Sequence, residues 1–147
     1  MRDPEVWTDA EVADRLAEAA DTLRRLPAAL RPAHLTSWPD IVHRQEEAYG
    51  WHSATPRLAA PSPAAISRLD HVLDWLIAFE AAHARERQVL WGRARGVPWR
   101  RLSQALGASR PTLAAWHAKG LARIVGWLNG KNRTAKGTRG STSAPML

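Results

Sequence analysis

Apolar residues recur at three- and four-residue steps along most of the chain, a spacing that predicts helices rather than strands. The first such stripe predicts a helix over about residues 9–25. Thr8 and Glu11 have the spacing of a capping box at its start, and Pro27 ends it. No stretch alternates between apolar and polar residues over a useful length. The pattern therefore predicts an all-α protein built as a helical bundle.

Five further helices follow from the same spacing and from start signals such as Ser62-Pro63. The loop predicted before that signal, over residues 50–62, contains two prolines. Residues 129–147 are rich in Gly, Ser, Thr and basic residues, which predicts a disordered basic tail. The five helices are predicted over about residues 37–48, 63–82, 85–95, 99–106 and 110–127, and the stripe of the longest runs through Ile66, Leu69, Leu73, Leu76 and Ile77.

Charge is distributed unevenly between the two halves of the sequence. Residues 1–86 hold all 14 acidic side chains and 9 basic ones, a net charge of −5. Residues 87–147 hold 12 basic side chains and no acidic one, a net charge of +12. A basic half of this kind is typical of proteins that bind a polyanion. High-GC codon usage would explain the excess of arginine without any function, but not why the carboxylates stop at Glu86.

Two glycines divide the basic half into short helices. Gly96 ends one predicted helix, and Gly107 permits a tight turn with positive φ after the next. Leu102 and Leu106 lie four residues apart on one face of the helix between them, and Ser109 can cap the following helix. This order predicts a helix-turn-helix. The alternative is an ordinary corner between two helices, which is common in all-α proteins.

The residues from 86 to 124 resemble the helix-turn-helix of sigma-factor region 4 and its phage and regulator relatives. Two positions depart from that pattern: Ser103 stands where the family usually has alanine, and Pro98 replaces the usual Ser/Thr cap. The whole chain also resembles an uncharacterised family of phage-associated helix-turn-helix proteins. The matching residues are Glu86 to Leu90, Gly96, Trp99, Leu102, Leu106 to Ser109, Thr112, Leu113, Lys119 and Arg123.

The resemblance implies that the second helix of the motif enters the major groove of DNA and that its first turns reach base edges. Flanking cations then contact phosphates and set the register. Gly107 and Ser109 form the turn. The expected base contacts are Arg110, Thr112, Ala114 and Ala115, and the expected phosphate contacts are Arg93, Arg95, Arg100, Arg101, Lys119 and Arg123.

The same sequence argues against several other classes of protein. There are no cysteines, and the six histidines show no metal-ligand spacing, so we expect neither a metal nor another cofactor. No nucleophile, base and orienting group can be assembled, so we do not expect an enzyme. No apolar run approaches the length of a membrane span, and the charged residues 1–6 do not predict a secretory signal. We therefore expect a cytoplasmic protein without a membrane partner.

We interpret the chain as an acidic N-terminal helical region (1–60), a helix-turn-helix DNA-binding region (61–128) and a disordered basic tail (129–147). The favoured function is a phage-type or prophage transcriptional regulator that binds double-stranded DNA, most simply as a homodimer. One alternative is a DNA-packaging adaptor of the small-terminase type, which would form a ring. Another is a protein-interaction module whose basic face meets an acidic partner. The acidic N-terminal region offers a surface for a further protein partner.

Overall fold

A computed structural model describes residues 2–27, 59–79 and 81–139 of the chain. These residues form helices and no strand, so the predicted all-α fold class is confirmed for them. The helix predicted over residues 37–48 and most of the loop predicted over 50–62 lie outside the described residues. The five α-helices are α1 (Asp9–Arg25), α2 (Pro63–Ile77), α3 (Ala84–Ala94), α4 (Trp99–Leu106) and α5 (Arg110–Arg139), with a 3₁₀ turn over Ala81–His83 before α3.

The predicted start and end of α1 are confirmed. The Thr8 hydroxyl accepts a hydrogen bond from the Glu11 backbone N–H, and the Glu11 carboxylate accepts one from the Thr8 backbone N–H. This capping box satisfies two donors that the first turn would otherwise leave open. Trp7 ahead of the cap and Val12 one turn into α1 are both buried, as a hydrophobic staple requires.

The start of α2 is confirmed, and its predicted end is wrong. The Ser62 hydroxyl accepts a hydrogen bond from the Ala65 N–H at 3.1 Å, with Pro63 in the first turn. The helix ends at Ile77 rather than near residue 82. The chain turns there because Phe79 packs inward against Trp127, with the ring centroids 5.2 Å apart. Ile77, predicted as part of the apolar stripe, is consequently 56% exposed.

The buried side chains fall into two groups. The larger one, here called the large cluster, joins α1, α2, one face of α3 and the middle of α5. Its members on α1, α2 and α5 recur at three- and four-residue steps, so burial follows the sequence periodicity. The large cluster consists of Trp7, Val12, Leu16, Ala19, Leu26, Leu69, Val72, Leu73, Leu76, Phe79, Leu90, Trp91, Leu121 and Ile124.

The second group, here called the small cluster, holds α4 between α3 and the start of α5. It consists of four buried side chains, Val89, Val97, Leu102 and Leu113. Helices α3 and α5 contribute to both clusters, so α4 is attached to the rest of the molecule through them.

Two glycines allow the helices to approach closely at these attachments. A Cβ at Gly92 on α3 would lie 2.6 Å from Leu102 Cδ2 on α4. A Cβ at Gly120 on α5 would lie 2.6 Å from Leu90 Cδ1 on α3. Because atoms at that separation overlap, a larger residue at either position would require the facing leucine side chain or its helix to shift.

The last helix is longer than the sequence pattern predicts. α5 continues through residue 128 and ends at Arg139, so the start of the predicted tail at residue 129 is corrected. The physical reason is a contact far away in sequence. The Asn129 side chain accepts a hydrogen bond from the Trp7 N–H at 2.8 Å and donates one to the Trp7 carbonyl at 3.1 Å. Asn132 donates to the Glu5 carbonyl at 3.2 Å.

Candidate nucleic-acid interface

The turn between α4 and α5 has the conformation that the sequence predicts. Gly107 adopts φ +64° and ψ +34°, in the left-handed region, and its N–H donates to the Ser103 carbonyl at 2.9 Å. A Cβ there would meet nothing within 4 Å. The glycine is therefore required by its backbone conformation and not by a lack of space.

Hydroxyl groups on both sides of the turn fix its shape. The Ser103 hydroxyl donates to the Ala108 carbonyl at 2.5 Å, so this serine does more than supply a small side chain. The Ser109 carbonyl accepts the first backbone bond of α5, from Leu113 N–H at 3.0 Å. The Ser109 hydroxyl lies 3.0 Å from that of Thr112. The predicted position of Ser109 at the start of α5 is therefore confirmed.

The turn between α3 and α4 is fixed by a second left-handed glycine. Gly96 has φ +82°, as predicted, and its N–H donates to the Arg93 carbonyl at 2.9 Å. The Val97 N–H donates to the Gly92 carbonyl at 3.0 Å, which completes a Schellman motif with Val97 buried. The Arg93 guanidinium donates to the Val97 carbonyl at 2.9 Å and lies 4.6 Å from the Trp99 ring centroid. Arg93 therefore braces this turn.

The predicted base-contacting side chains share the exposed face of α5. Arg110, Thr112, Ala114 and Ala115 are all exposed, while Leu113 among them is fully buried in the small cluster. One face of the first two turns thus anchors the helix and the other faces solvent. No carboxylate follows Glu86 in the sequence, so α5 carries none.

The predicted phosphate contacts differ in exposure and in their contacts within the chain. Arg100 and Arg101 on α4 and Lys119 on α5 are exposed, and Arg95 is half-buried. These cations lie on the two helices that the Gly107 turn joins and on the turn before them.

Arg123, also predicted to contact phosphate, pairs with a carboxylate of its own chain. Its Nε lies 3.1 Å from Glu86 Oε2, and its terminal nitrogen lies 3.1 Å from His83 Nδ1. The Glu86 side chain is only 10% exposed. A buried carboxylate needs such a partner, so we assign Arg123 to holding α5 against α3 and omit it from the DNA-contacting set.

His117 lies on α5 beside the exposed face but turns towards α4. Its ring is 5.8 Å from that of Trp99 in an edge-on arrangement. Burial lowers the pKa of His117 below its usual value, and the positive charge of Arg93 lowers it further. The imidazole is therefore neutral at physiological pH and serves as a packing group between α4 and α5.

A family model described as "Domain of unknown function (DUF6362)" matches residues 24–124. The chain belongs to this family. No curated protein and no solved structure matches the chain.

The DUF6362 match covers the interface but stops short of two elements that pack together. It includes α2, α3, α4 and the first half of α5. It ends at residue 124 and begins at residue 24, so nearly all of α1 and the second half of α5 lie outside it. The bonds from Asn129 and Asn132 to residues 5–7 join these two outlying parts.

The structure adds one cation that sequence reasoning missed. The Arg85 guanidinium carbon lies 5.3 Å from the ring centroid of Trp116 on α5, and the Arg85 side chain is exposed. Arg85 was missed because it lies before the acid-free half of the sequence, which begins at residue 87. Only a contact between helices places it beside α5.

Among the helices within residues 2–27, 59–79 and 81–139, none combines the length and apolar character needed to cross a lipid bilayer. In the same part of the chain, no three metal-ligating side chains lie close enough together to hold an ion.

Proposed function

We propose that this member of the DUF6362 family binds double-stranded DNA by placing the first turns of α5 in the major groove. The observation that carries the proposal is the exposed, carboxylate-free face of α5 that follows the Gly107 turn and begins with Arg110. An α-helix fits the major groove, and an excess of positive charge draws it to the phosphates. The resemblance to sigma-factor region 4 gives the same assignment for this helix.

The side chains on the exposed face have different roles at the base edges. Arg110 presents a guanidinium fork, which pairs bidentately with O6 and N7 of guanine. The Thr112 hydroxyl, already paired with Ser109, keeps acceptor capacity for a base amino group. Ala114 and Ala115 offer methyl groups, whose natural partner in the groove is the C5-methyl of thymine. Sequence preference therefore rests mainly on Arg110.

The cations that flank this face supply binding without base preference. Arg100 and Arg101 on α4, Arg95 before it and Lys119 on α5 are assigned to phosphates, where they set the register of α5 in the groove. We add Arg85, because its position over Trp116 holds the guanidinium in place before DNA binds. Preorganised cations bind phosphate at a smaller cost in side-chain entropy.

Replacing Arg110 by alanine tests the assignment of α5. The change should cost about 1–3 kcal/mol of binding to the preferred duplex and flatten the preference at one base position. Stability should stay within about 0.5 kcal/mol of wild type, because the side chain is exposed. Selection of preferred sites from a random duplex pool, followed by anisotropy titrations and thermal melting, measures all three quantities.

Lys119→Ala is the matched control on the same helix. It should weaken binding to every duplex alike, since a phosphate contact carries no base information. If Arg110→Ala bound every duplex as tightly as wild type does, α5 would not be the reading helix and the proposal would fall.

The proposed biological role is that of a phage-type or prophage transcriptional regulator acting as a dimer. A two-fold dimer reads two half-sites about one turn of duplex apart, as regulators of this class do. Mass measurement in solution tests this role directly. A dimer supports it, whereas a ring of eight or more copies would contradict it and favour a packaging adaptor.

A further inference from the structure

The second half of α5 is a fixed basic element. Lys131 and Arg133 are exposed on it, and α5 continues as a helix to Arg139. At 1.5 Å of rise per residue, the 21 residues from Arg110 to Lys131 span about 32 Å. That separation is close to one turn of B-form DNA, about 34–36 Å.

The N-terminal arm, residues 2–8, holds this half of α5 in place. The Asn129 side chain pairs with both the N–H and the carbonyl of Trp7, and Asn132 bonds the Glu5 carbonyl. Trp7 is itself buried in the large cluster and lies 5.4 Å from the Trp75 ring in an edge-on arrangement. The arm therefore ties residues 129–132 to the core.

The charge of this region favours an anionic partner. Four cations lie between residues 131 and 139, and no carboxylate lies on α5. Of the two acidic residues in the arm, Glu5 bonds α5 through its backbone carbonyl and Asp3 pairs with Arg15 on α1 at 3.2 Å. Because Asp3 is neutralised by Arg15, the four cations are set against the single carboxylate of Glu5. The net charge of this region is therefore positive, which suits the phosphates of DNA.

We propose that the second half of α5 is a second DNA-contacting surface, fixed by the N-terminal arm. It binds phosphates of the same duplex about one helical turn from the bases that Arg110 contacts. The inference rests on the proposed function, because it assumes that the first half of α5 lies on DNA. It differs from a mobile basic tail, which would act on any nearby phosphate without needing the arm.

The slope of log K against log salt on duplexes of two lengths tests the proposal. An 8-base-pair duplex, about 27 Å long, is too short to reach both surfaces, and a 24-base-pair duplex reaches both. Each phosphate contact adds about 0.9 to the slope, so Lys131 and Arg133 should make it steeper by about 2 on the long duplex. The slope is the chosen readout because the longer duplex also offers more binding registers, which raises affinity without changing the slope.

Two variants should remove the difference for separate reasons. Lys131→Ala/Arg133→Ala removes the cations, and Asn129→Ala releases the helix from Trp7. Gly126→Ala is the control on α5, because Gly126 is exposed and a Cβ there meets nothing within 4 Å. It should keep the full difference. Circular dichroism before each titration verifies that every variant is folded.

The outcomes separate this proposal from the proposed function. Equal slopes of wild type on the two duplexes, with Arg110-dependent binding intact, would overturn the second surface alone. An unchanged slope difference in folded Asn129→Ala would also overturn it, since the arm would then be irrelevant. Failure of wild type to bind either duplex would overturn the proposed function and this inference with it.

Discussion

The large and small clusters differ in how much of the molecule depends on them. Fourteen buried side chains, on four helices and in the residues next to them, form the large cluster, and four form the small one. Helix α4 has only eight residues, and it owes its place to Leu102, the close approach at Gly92 and the two glycine turns. The large cluster therefore stabilises the fold, whereas the small cluster positions the proposed DNA-contacting helices.

The charges follow the same division. Every acidic side chain lies at or before Glu86, and those within the described residues lie on the N-terminal arm, α1, α2 or the start of α3. Two arginines lie beside the small cluster. Arg85 lies over the ring of Trp116 and Arg93 over that of Trp99, and both rings pack against the small cluster. The ion pair between Arg68 and Glu18 joins α2 to α1, in the part of the molecule that holds the carboxylates.

Truncating one leucine in each cluster tests whether the two clusters unfold separately, and it should give the largest effect. Leu76→Ala should lower the free energy of unfolding by about 2–5 kcal/mol, because Leu76 is fully buried in the large cluster. Leu102→Ala should instead lower hydrogen-exchange protection selectively in α4, since few contacts hold that helix. Native-state hydrogen exchange measures both. If Leu102→Ala reduced protection in α1 as much as in α4, the two clusters would be one cooperative unit.

Substitution at Gly107 tests whether the turn between α4 and α5 requires a left-handed backbone conformation. Gly107→Val should cost about 1–3 kcal/mol, because a β-branched residue is strained at φ +64°. Gly107→Asn is the matched variant, and its cost should be much smaller because asparagine tolerates the left-handed region. Denaturant unfolding gives both values. Equal stabilities of the two variants would show that the backbone conformation at residue 107 is not what the turn requires.

The smallest expected effect is a pH dependence in the contact between α4 and α5. The pKa of His117 is lowered in the folded state by burial and by Arg93, so the unfolded chain binds its proton more tightly. The contribution of His117 to stability is therefore fully present above the unfolded pKa, about 6.5, and is lost as the pH falls below it. Unfolding of wild type and His117→Gln at pH 7.5 and 5.5 measures it. The loss on acidification should be smaller in the variant, and an equal loss would contradict the assignment.

Local signals predicted the parts of the fold that depend on neighbouring residues. The bounds of α1 and α4, the caps at Thr8 and Ser62 and the left-handed Gly107 all follow from sequence. Each rests on residues within one helical turn of each other, so periodicity and capping chemistry suffice to predict it.

The missed features join residues that are far apart in sequence. Asn129 contacts Trp7 across 122 positions, and Arg123 contacts Glu86 across 37. No local pattern signals either contact, so α5 was predicted to stop too early and Arg123 was assigned to phosphate. The exposure of Ile77 was missed for the same reason, because α2 ends where Phe79 packs against Trp127.

A salt titration of duplex binding tests the central claim most directly, using the full chain and a 24-base-pair duplex. If the seven cations assigned to phosphates make those contacts, log K should fall against log salt with a slope near −6. These cations are Arg85, Arg95, Arg100, Arg101, Lys119, Lys131 and Arg133. Release of counterions from DNA produces this slope whatever the base sequence. A slope flatter than about −2, with the protein folded throughout, would contradict the proposal that this basic half binds DNA.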